Sequence, residues 1–338
     1  MHRYLQPKPA HADLLALSER LGRLHLNQRL GIEQDHAVEV FGHGHVLNPE
    51  NWLSGQKLAR FFLRVTGIGI LGRRRARQHR IVDRQIPLDR LPAACDGLSI
   101  LHLTDLHLDM AEDTVDALIR SLDGITADIA VLTGDFRART YGGINRVVEA
   151  MGKLRAHLPE RCFGVLGNHD CLAMAPAFEE MGLSMLLNES VELEGGLFLA
   201  GIDDPHYYRV DNLAKAMEGV PSAAPVILLA HSPEIYRQAT HAEVDLMLCG
   251  HTHGGQVCLP GGYAMTYDCH CPRRYCRGDW QHGDMHGYTS SGCGTSILDI
   301  RFFCPPEIVI HRLRQGISRG DCESPAGKAG AKQASQAS

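Results

Sequence analysis

The sequence lacks the features that would assign the chain to a membrane-spanning, secreted or nucleic-acid-binding class. No uncharged apolar run reaches the roughly 18 residues that a membrane-spanning helix needs. The first residues lack the basic-then-apolar order of a secretory signal, and a formal net charge of -5 gives no basic field for a nucleic acid. The eleven cysteines are odd in number and scattered, which favours a reducing compartment over a disulfide framework. We therefore expect a cytoplasmic protein with no nucleic-acid partner.

The length and composition favour one catalytic domain with appendages. The 338 residues are 44% hydrophobic, which is enough for a sizeable core. Prolines and glycine between residues 87 and 97 interrupt any helical pattern, as in a linker, and the small, polar composition from residue 318 onwards is typical of disorder. We expect an N-terminal helical extension over residues 1–95, a catalytic domain over residues 96–313 and a disordered tail over residues 314–338.

The N-terminal extension carries two stretches of helical periodicity. Leucines recur between residues 11 and 31, which predicts an amphipathic helix that ends before Gly31. Apolar residues also recur at helical spacing over residues 51–71, and residues 57–80 contain eight lysines and arginines and no acidic residue. Residues 51–80 could lie on an anionic membrane surface, or they could dock on the catalytic domain. His43 and His45 could bind metal, but a loop is favoured because no partner cluster is near.

A series of apolar runs, each ending in polar residues, dominates the rest of the sequence. The first run, residues 98–103, predicts a buried strand. Since residues two apart in an extended chain point to the same side, Asp105 and His107 present a carboxylate and an imidazole together. Four further runs end in the same way. The strand-end residues are Asp105, His107, Asp135, Asn168, His169, Asp170, His231, His251 and His253.

The segments between these runs predict an α/β domain. Residues 114–122 and 144–158 have helical periodicity, and strands that alternate with helices favour a layered α/β fold. Short runs on either side of Gly195 and Gly196 predict a hairpin and a second, mixed sheet. Ligands of open α/β sheets bind outside the carboxyl ends of the strands, so we expect the strand-end residues to meet in one site.

The strand-end residues are of the types that bind divalent transition metals. Imidazole and carboxylate ligands suit Mn, Fe or Zn, whereas a structural zinc usually recruits thiolates. Seven ligands are too many for one ion, and two ions that share Asp135 would fit at the roughly 3.5–4 Å separation of two-metal hydrolytic sites. The carboxylates of Asp105 and Asp135 and a bridging hydroxide would not neutralise two divalent ions. A neutral Asn168 preserves this positive excess, which would attract a phosphate anion.

Five motifs in this order resemble those of the calcineurin-like metallophosphoesterases. They span roughly residues 98–312 and are Asp105-Leu-His107, Gly134-Asp135, Gly167-Asn-His-Asp170, His231 and Gly250-His-Thr-His253. The resemblance implies a four-layer αββα sandwich. It also implies that one metal takes Asp105, His107, Asp135 and His253, and that the other takes Asp135, Asn168, His231 and His251.

The implied mechanism is hydrolysis by a metal-activated water that attacks phosphorus in line. His169, held by Asp170 beside it, would stabilise or protonate the leaving oxygen, although a purely structural histidine is the alternative. Arg137 and Arg139 could clamp phosphate oxygens as planar forks, and they are equally compatible with a solvated loop.

Three further stretches, residues 250–256, 290–292 and 300–308, resemble a bacterial membrane-associated subgroup. Some members of that subgroup are UDP-2,3-diacylglucosamine hydrolases of lipid A synthesis. The pair Asp203-Asp204 resembles an element of the subgroup as well, although a turn explains it equally. The stretch Cys269-His-Cys271 to Cys276 departs from the subgroup. Its cysteines could hold a structural zinc, but they lack the paired spacing of a zinc ribbon, so a reduced loop is favoured.

These features together predict a dinuclear metal-dependent phosphoesterase. Its expected substrate is a lipid-linked phosphodiester or pyrophosphate such as UDP-2,3-diacylglucosamine. We expect a cytoplasmic protein that binds peripherally to the inner face of the membrane. A soluble phosphatase or nucleotide phosphodiesterase is the alternative, and the basic amphipathic segment speaks against it. A non-catalytic scaffold would require lost ligands, and none of the seven is missing.

Overall fold

The computed structural model of the protein describes residues 7–41, 63 and 66–316. Within these residues, two six-stranded sheets form the centre of the molecule. The strands are β1 (Arg80–Leu88), β2 (Ser99–Leu103), β3 (Ile129–Thr133), β4 (Cys162–Val165), β5 (Ser184–Met185), β6 (Glu189–Glu192), β7 (Phe198–Gly201), β8 (Val226–Leu229), β9 (Leu246–Cys249), β10 (Gly278–His282), β11 (Met285–Thr289) and β12 (Glu307–Gln315). The α-helices are α1 (His11–Leu21), α2 (Arg23–Phe41), α3 (Ile68–Arg75), α4 (Thr114–Leu122), α5 (Asn145–Arg155), α6 (Met174–Glu179), α7 (Leu213–Ala216) and α8 (Tyr236–His241).

Both sheets mix parallel and antiparallel pairs. The first has the order β1-β12-β2-β3-β4-β5, in which all pairs from β2 to β5 are parallel. The second has the order β10-β11-β9-β8-β7-β6, with a parallel centre and an antiparallel pair at each edge. The edge pair β6 and β7 is the hairpin predicted around Gly195 and Gly196.

The strands send alternate side chains into different layers. Ile100 and Leu248 contribute to a core between the two sheets. Leu101, next to Ile100, packs with residues of α4 and α5 on the outer face of the first sheet, and Met247 packs with residues of α8 on the outer face of the second. A strand buried on both faces reads as a continuous apolar run. The predicted four-layer αββα sandwich is confirmed.

Two helices of the N-terminal extension, α1 and α2, pack on the sandwich. They are separated at Gly22, whose φ of 84° lies in a region that glycine adopts without strain. α2 continues past Gly31 to Phe41, so the prediction of one helix that ends before Gly31 is wrong. A glycine inside a helix costs only about 1 kcal/mol relative to alanine, and tertiary packing can offset that cost. Arg20 of α1 pairs with Glu179 and Glu189 of the sandwich at 2.6 and 2.7 Å.

A buried ion pair anchors α2 to the sandwich. Arg29 is fully buried and lies 3.1 Å from Asp203, which is also 3.0 Å from Nε2 of His25. Arg29 further donates to the carbonyl oxygen of Asp170 at 2.9 Å, next to the strand-end residues. Asp204 accepts backbone N–H groups of residues 207 and 208, as in a turn. The Asp203-Asp204 element therefore combines an anchor for the extension with a turn.

β1 lies in the segment that the sequence assigned to the extension and linker. It pairs with β12 in parallel along its whole length, and Ile86 and Leu88 are each 2% exposed. Pro87 is tolerated because β1 is an edge strand, where a missing N–H breaks no ladder. The sandwich therefore begins at Arg80 rather than at residue 96, and it extends to Gln315 rather than to residue 313.

Several predictions concern residues outside the described ranges. These are the loop with His43 and His45, the apolar residues at 51–62 and the tail from residue 318. Within the described ranges, no helix combines the length and the apolar character needed to cross a membrane.

Candidate metal centre

The candidate ligands lie at the carboxyl ends of five strands from both sheets. Asp105 and His107 follow β2, and Asp135 follows β3. Residues 168–170 follow β4, His231 follows β8, and residues 251–253 follow β9. The structure brings these strand ends together, as expected for open α/β sheets. The contacts place the side chains in two groups on either side of Asp135.

The first group consists of Asp105, His107 and His253. Nε2 of His107 lies 3.1 Å from Nε2 of His253, and that nitrogen of His253 lies 3.4 Å from Oδ1 of Asp105. All three residues are buried, and Oδ1 of Asp105 has no hydrogen-bond partner. Ligand atoms that are roughly 2.0–2.2 Å from one ion are about 3.0–3.5 Å from each other. The observed distances therefore fit the edges of a coordination shell.

The second group consists of Asn168, His231 and His251. Oδ1 of Asn168 lies 2.9 Å from Nε2 of His231 and 3.0 Å from Nδ1 of His251. The two imidazole nitrogens are 3.2 Å apart. An amide oxygen and two imidazoles in this arrangement present ligand atoms to one point, as the first group does.

Asp135 faces both groups with different oxygens. Its Oδ1 lies 3.4 Å from Nε2 of His231, and its Oδ2 lies 3.7 Å from Nε2 of His107. The carboxylate is 2% exposed. Asp135 therefore stands between the two groups with one oxygen available to each.

Backbone carbonyls orient two of the imidazoles. Nδ1 of His107 lies 2.8 Å from the carbonyl oxygen of Arg137, and Nδ1 of His231 lies 2.8 Å from that of Thr133. A carbonyl oxygen only accepts, so each Nδ1 carries a proton and each ring turns its Nε2 towards the cluster. Outer hydrogen bonds of this kind fix the tautomer of metal-binding histidines.

The electrostatics of the cluster favour a cation. Burial raises the pKa of Asp105 to about 6 and lowers that of His107 to about 3. Burial also acts to lower the pKa of His231, but the carboxylates of Asp135 and Asp105 outweigh it and raise that pKa to about 10. The buried carboxylates thus attract positive charge to the point where the imidazoles converge. The donor types, the geometry and the unpartnered Asp105 oxygen together fit divalent metal ions.

Five of the candidate ligands have a strained backbone. Their φ values are positive although none is glycine: Asp105 50°, His107 41°, Asp135 55°, His251 72° and His253 51°. The left-handed region costs a residue with a side chain roughly 1–2 kcal/mol. Such strain concentrates at functional sites, where the surrounding structure enforces it.

Two motif glycines leave room for the ligands. A Cβ atom on Gly167 would overlap Oδ1 of Asp135, and one on Gly250 would overlap the side chains of Thr104 and Asp105. The glycines before Asn168 and His251 are therefore required by close approach of the backbone to the neighbouring ligands.

His169 lies at the open side of the cluster. Its side chain is 20% exposed, and its Nε2 is 3.9 Å from Oδ2 of Asp135. Its Nδ1 lies 2.9 Å from the carbonyl oxygen of Ala138, so Nδ1 carries a proton and Nε2 faces the cleft.

Asp170 does not hold the imidazole of His169, and that prediction is wrong. Its carboxylate accepts the backbone N–H groups of Asp135, Phe136 and Gly167 at 2.8–2.9 Å. Asp170 therefore positions the loop that carries Asp135. The sequence could not show this, because side chains of adjacent residues can point in different directions.

Arg137 is not available to clamp a phosphate. It is 1% exposed, and its Nε donates to the carbonyl oxygen of His169 at 2.5 Å. Neither prediction for Arg137 is correct, because it is neither a clamp nor a solvated residue. Arg139 is exposed, as expected for a solvated loop.

Arg301 supports the cluster in a way that the sequence did not reveal. It is fully buried, and its guanidinium donates to the carbonyl oxygens of Ser291, Gly294 and His253 at 2.7, 2.6 and 3.2 Å. It thus joins the loop of His253 to the loop after β11. The sequence feature that could have indicated this role is an arginine within an apolar run, because such an arginine is expected to be buried and fully hydrogen-bonded.

Comparisons with known proteins show which family the chain resembles. Residues 98–255, which include all the candidate ligands, match the family of calcineurin-like phosphoesterases. The chain is 31% identical over 238 residues to the uncharacterized metallophosphoesterase YkoQ of Bacillus subtilis, across 67% of this chain and 86% of that protein. It is 31% identical over 249 residues to an uncharacterized metallophosphoesterase of Aquifex aeolicus, across 70% and 92%. A transmembrane protein with metallophosphoesterase domain from Danio rerio is 28% identical over 203 residues, across 54% of this chain and 46% of that protein.

Proposed function

This chain belongs to the calcineurin-like phosphoesterase family and is a metal-dependent hydrolase of phosphoric esters, and we propose that it works with two divalent ions. One ion is bound by Asp105, His107, Asp135 and His253. The other is bound by Asp135, Asn168, His231 and His251.

The position of Asp135 carries this proposal. Its two oxygens lie near different histidines, at 3.4 Å from His231 and 3.7 Å from His107. A carboxylate between two sets of ligand atoms is suited to bridge two ions. A site for one ion would leave one of the two sets of buried imidazoles without a cation.

The bound ions and the protein's own side chains have different roles in the proposed reaction. Bound ions supply Lewis acidity towards a phosphoryl oxygen and lower the pKa of water. The Ala138 carbonyl keeps the ring of His169 oriented with Nε2 towards the cleft, where the protonated form of the ring would transfer a proton to the leaving oxygen. Asp170 keeps the backbone of Asp135 in place. The burial of the ligand side chains limits the access of bulk water, which strengthens the electrostatic interactions.

Elemental analysis tests the two-ion proposal. We expect close to two transition-metal ions per chain at this site, and we expect chelation to abolish hydrolysis of a p-nitrophenyl phosphodiester until Mn²⁺, Fe²⁺ or Zn²⁺ is restored. Activity with a single ion at this cluster would overturn the proposal of two ions. Activity that survives complete removal of metal would overturn the proposed function itself.

We further propose that the protein meets an anionic lipid surface near this site. In α3, Ile68, Ile70 and Leu71 are 43%, 78% and 47% exposed, next to the exposed Arg73 and Arg74. Neighbouring loops add exposed apolar residues. These are Val257, Leu259, Tyr263, Met265, Ile297 and Phe303.

Backbone contacts join these segments beside the cluster. The N–H of Arg301 donates to the carbonyl oxygen of Gly72 at 3.0 Å, and Val257 forms a bridge with Phe302. Apolar groups edged by arginines are typical of membrane-surface contacts. Arg73 and Arg77 also pair with Asp299, and Arg80 pairs with Glu307 of the sandwich, so part of the basic stretch docks on the protein.

Vesicle flotation tests this surface. We expect salt-sensitive recovery with anionic vesicles, because each exposed cation contributes roughly 1 kcal/mol near such a surface. The double substitution Ile70→Glu and Leu71→Glu should reduce the recovery, whereas Leu24→Glu, at an exposed leucine of α2, should not. Equal recovery with neutral vesicles, or none with either, would favour a segment that only docks on the sandwich.

The proposed substrate is a lipid-linked pyrophosphate such as UDP-2,3-diacylglucosamine. The exposed apolar residues and arginines beside the cluster support this choice. The similarity of residues 300–308 to the hydrolases of that lipid supports it less, because Arg301 and Glu307 are buried and hold loops rather than face the cleft.

The expected products are a nucleoside monophosphate and a lipid phosphate. We expect kcat/KM to be higher for UDP-2,3-diacylglucosamine than for a soluble UDP-sugar, since only the lipid can use the apolar surface. A preference for the soluble compound would favour the alternative, a soluble phosphatase or nucleotide phosphodiesterase.

A further inference from the structure

Three cysteine side chains converge in the loop between β9 and β10, apart from the seven ligands. Sγ of Cys269 lies 3.1 Å from Sγ of Cys271, which lies 3.7 Å from Sγ of Cys276. All three sulfur atoms are within 4.8 Å of one another. None of the three is in a disulfide. The sequence spacing did not predict this convergence, because it lacks the pairs of a zinc ribbon.

The distances fit a metal ion better than a disulfide. Sulfur ligands at roughly 2.3 Å from a tetrahedral zinc ion are about 3.8 Å apart, and the separation of Cys271 from Cys276 is close to that value. The sulfur atoms of Cys269 and Cys271 are 3.1 Å apart, which is shorter than that value but well beyond the roughly 2.05 Å of a disulfide. A disulfide would also join only two of the sulfur atoms, and it would not explain why the third lies within 4.8 Å of both.

The charges around the sulfur atoms suit a bound cation. Arg273, a cation, lies in the same loop as the three sulfur atoms. Cysteine binds a metal ion as the thiolate. Three thiolates and one divalent ion carry a single negative charge, which Arg273 offsets. Cys276 is 1% exposed, while Cys269 and Cys271 remain partly open for entry of an ion.

The loop has little other regular structure to hold its shape. Between residues 265 and 277 the only helical element is a short 3₁₀ turn, Arg273–Tyr275. Tyr275 is 1% exposed and packs against Tyr236 and Trp280. The carbonyl oxygen of Cys276 accepts the hydroxyl of Thr252 at 2.6 Å. Thr252 lies between His251 and His253, so this loop supports both histidines.

We propose that Cys269, Cys271 and Cys276 bind a structural zinc ion, distinct from the metal centre, that fixes this loop against the residue between His251 and His253. Three soft thiolates select zinc among the common divalent ions. The fourth position of the tetrahedron is filled from outside the triad. The ion supplies the cross-link that a short loop with one 3₁₀ turn lacks.

Cobalt substitution tests the proposal on the full chain. The metal-free, reduced protein is reloaded with Co²⁺, and thiolate-to-cobalt charge-transfer absorption is recorded in the near ultraviolet. The other candidate ligands include no cysteine, so this absorption reports cysteine ligands and not the metal centre, and the substitutions below assign it to the triad. We expect it in the unaltered protein, together with one zinc per chain beyond the ions of the metal centre in the native preparation.

Substitutions then separate the two sites. Cys276→Ser should abolish the charge-transfer absorption and remove one equivalent of metal. Cys269→Ser, at a partly exposed position, makes the same test if Cys276→Ser does not fold. Cys95→Ser is the control, because its thiol donates to the carbonyl of Glu194 far from the triad. Asp135→Asn should keep the absorption even if the two-ion proposal fails. An unchanged metal content in both triad variants, or a Cys269–Cys271 disulfide in protein purified under reducing conditions, would overturn the proposal.

Discussion

Asp135→Asn should remove metal from both halves of the cluster and abolish phosphoester hydrolysis. Each oxygen of this carboxylate faces a different group of ligands. The amide keeps the size of the side chain, but it removes one of two carboxylates among the seven proposed ligands and turns one oxygen into an N–H donor. The fall in activity should exceed the roughly 10–100-fold that follows loss of an outer hydrogen-bond partner.

Metal analysis and hydrolysis of a p-nitrophenyl phosphodiester measure this effect. Asp128→Asn is a matched control, because that carboxylate accepts the N–H and hydroxyl of Ser99 at the start of β2. The metal content and activity of Asp170→Asn should lie between those of Asp135→Asn and Asp128→Asn, since Asp170 holds the backbone of Asp135. If His107→Ala loses clearly more metal and activity than Asp135→Asn, the bridging role belongs elsewhere.

His169→Ala should retain the bound metal while turnover falls by roughly 10²–10⁴-fold, the usual contribution of a general acid or base. The imidazole is the candidate group at the open side of the cluster whose Nε2 faces the cleft. The loss should be larger for an alkyl phosphodiester than for a p-nitrophenyl ester, because a good leaving group needs little proton transfer. A histidine with only a structural role would slow both substrates equally.

The measurement compares kcat for both esters with the metal content of each variant. His157→Ala is the control, since His157 is exposed on the loop after α5. Loss of metal from His169→Ala would place His169 among the ligands, which is compatible with its distance of 3.9 Å from Asp135.

The local features of the fold could be predicted from the sequence. The five apolar runs became β2, β3, β4, β8 and β9, and the helix expected over residues 114–122 is α4. Periodicity and composition are properties of short segments, so they can be recognised without knowledge of the partners. The polar residues after each run were gathered into one cluster because strand ends of open sheets converge.

The features that could not be predicted depend on partners distant in sequence. β1 is recognisable only through its pairing with β12, because an edge strand with Pro87 and several charged residues has no continuous apolar run. The end of α2 was misplaced because docking on the sandwich outweighs the low helix propensity of Gly31. The role of Asp170 was misassigned because its direction is set by the loop of Asp135.

The sequence by itself determined the reaction class of this protein, because the types and order of the candidate ligand residues can be recognised in it directly. The tertiary structure decided which of the other charged residues serve that chemistry. Arg29, Arg137 and Arg301 are buried as hydrogen-bonded supports, and the three cysteines meet at one point. The physical reason is that burial of a charge requires partners, and those partners come from segments that only the folded chain brings into contact.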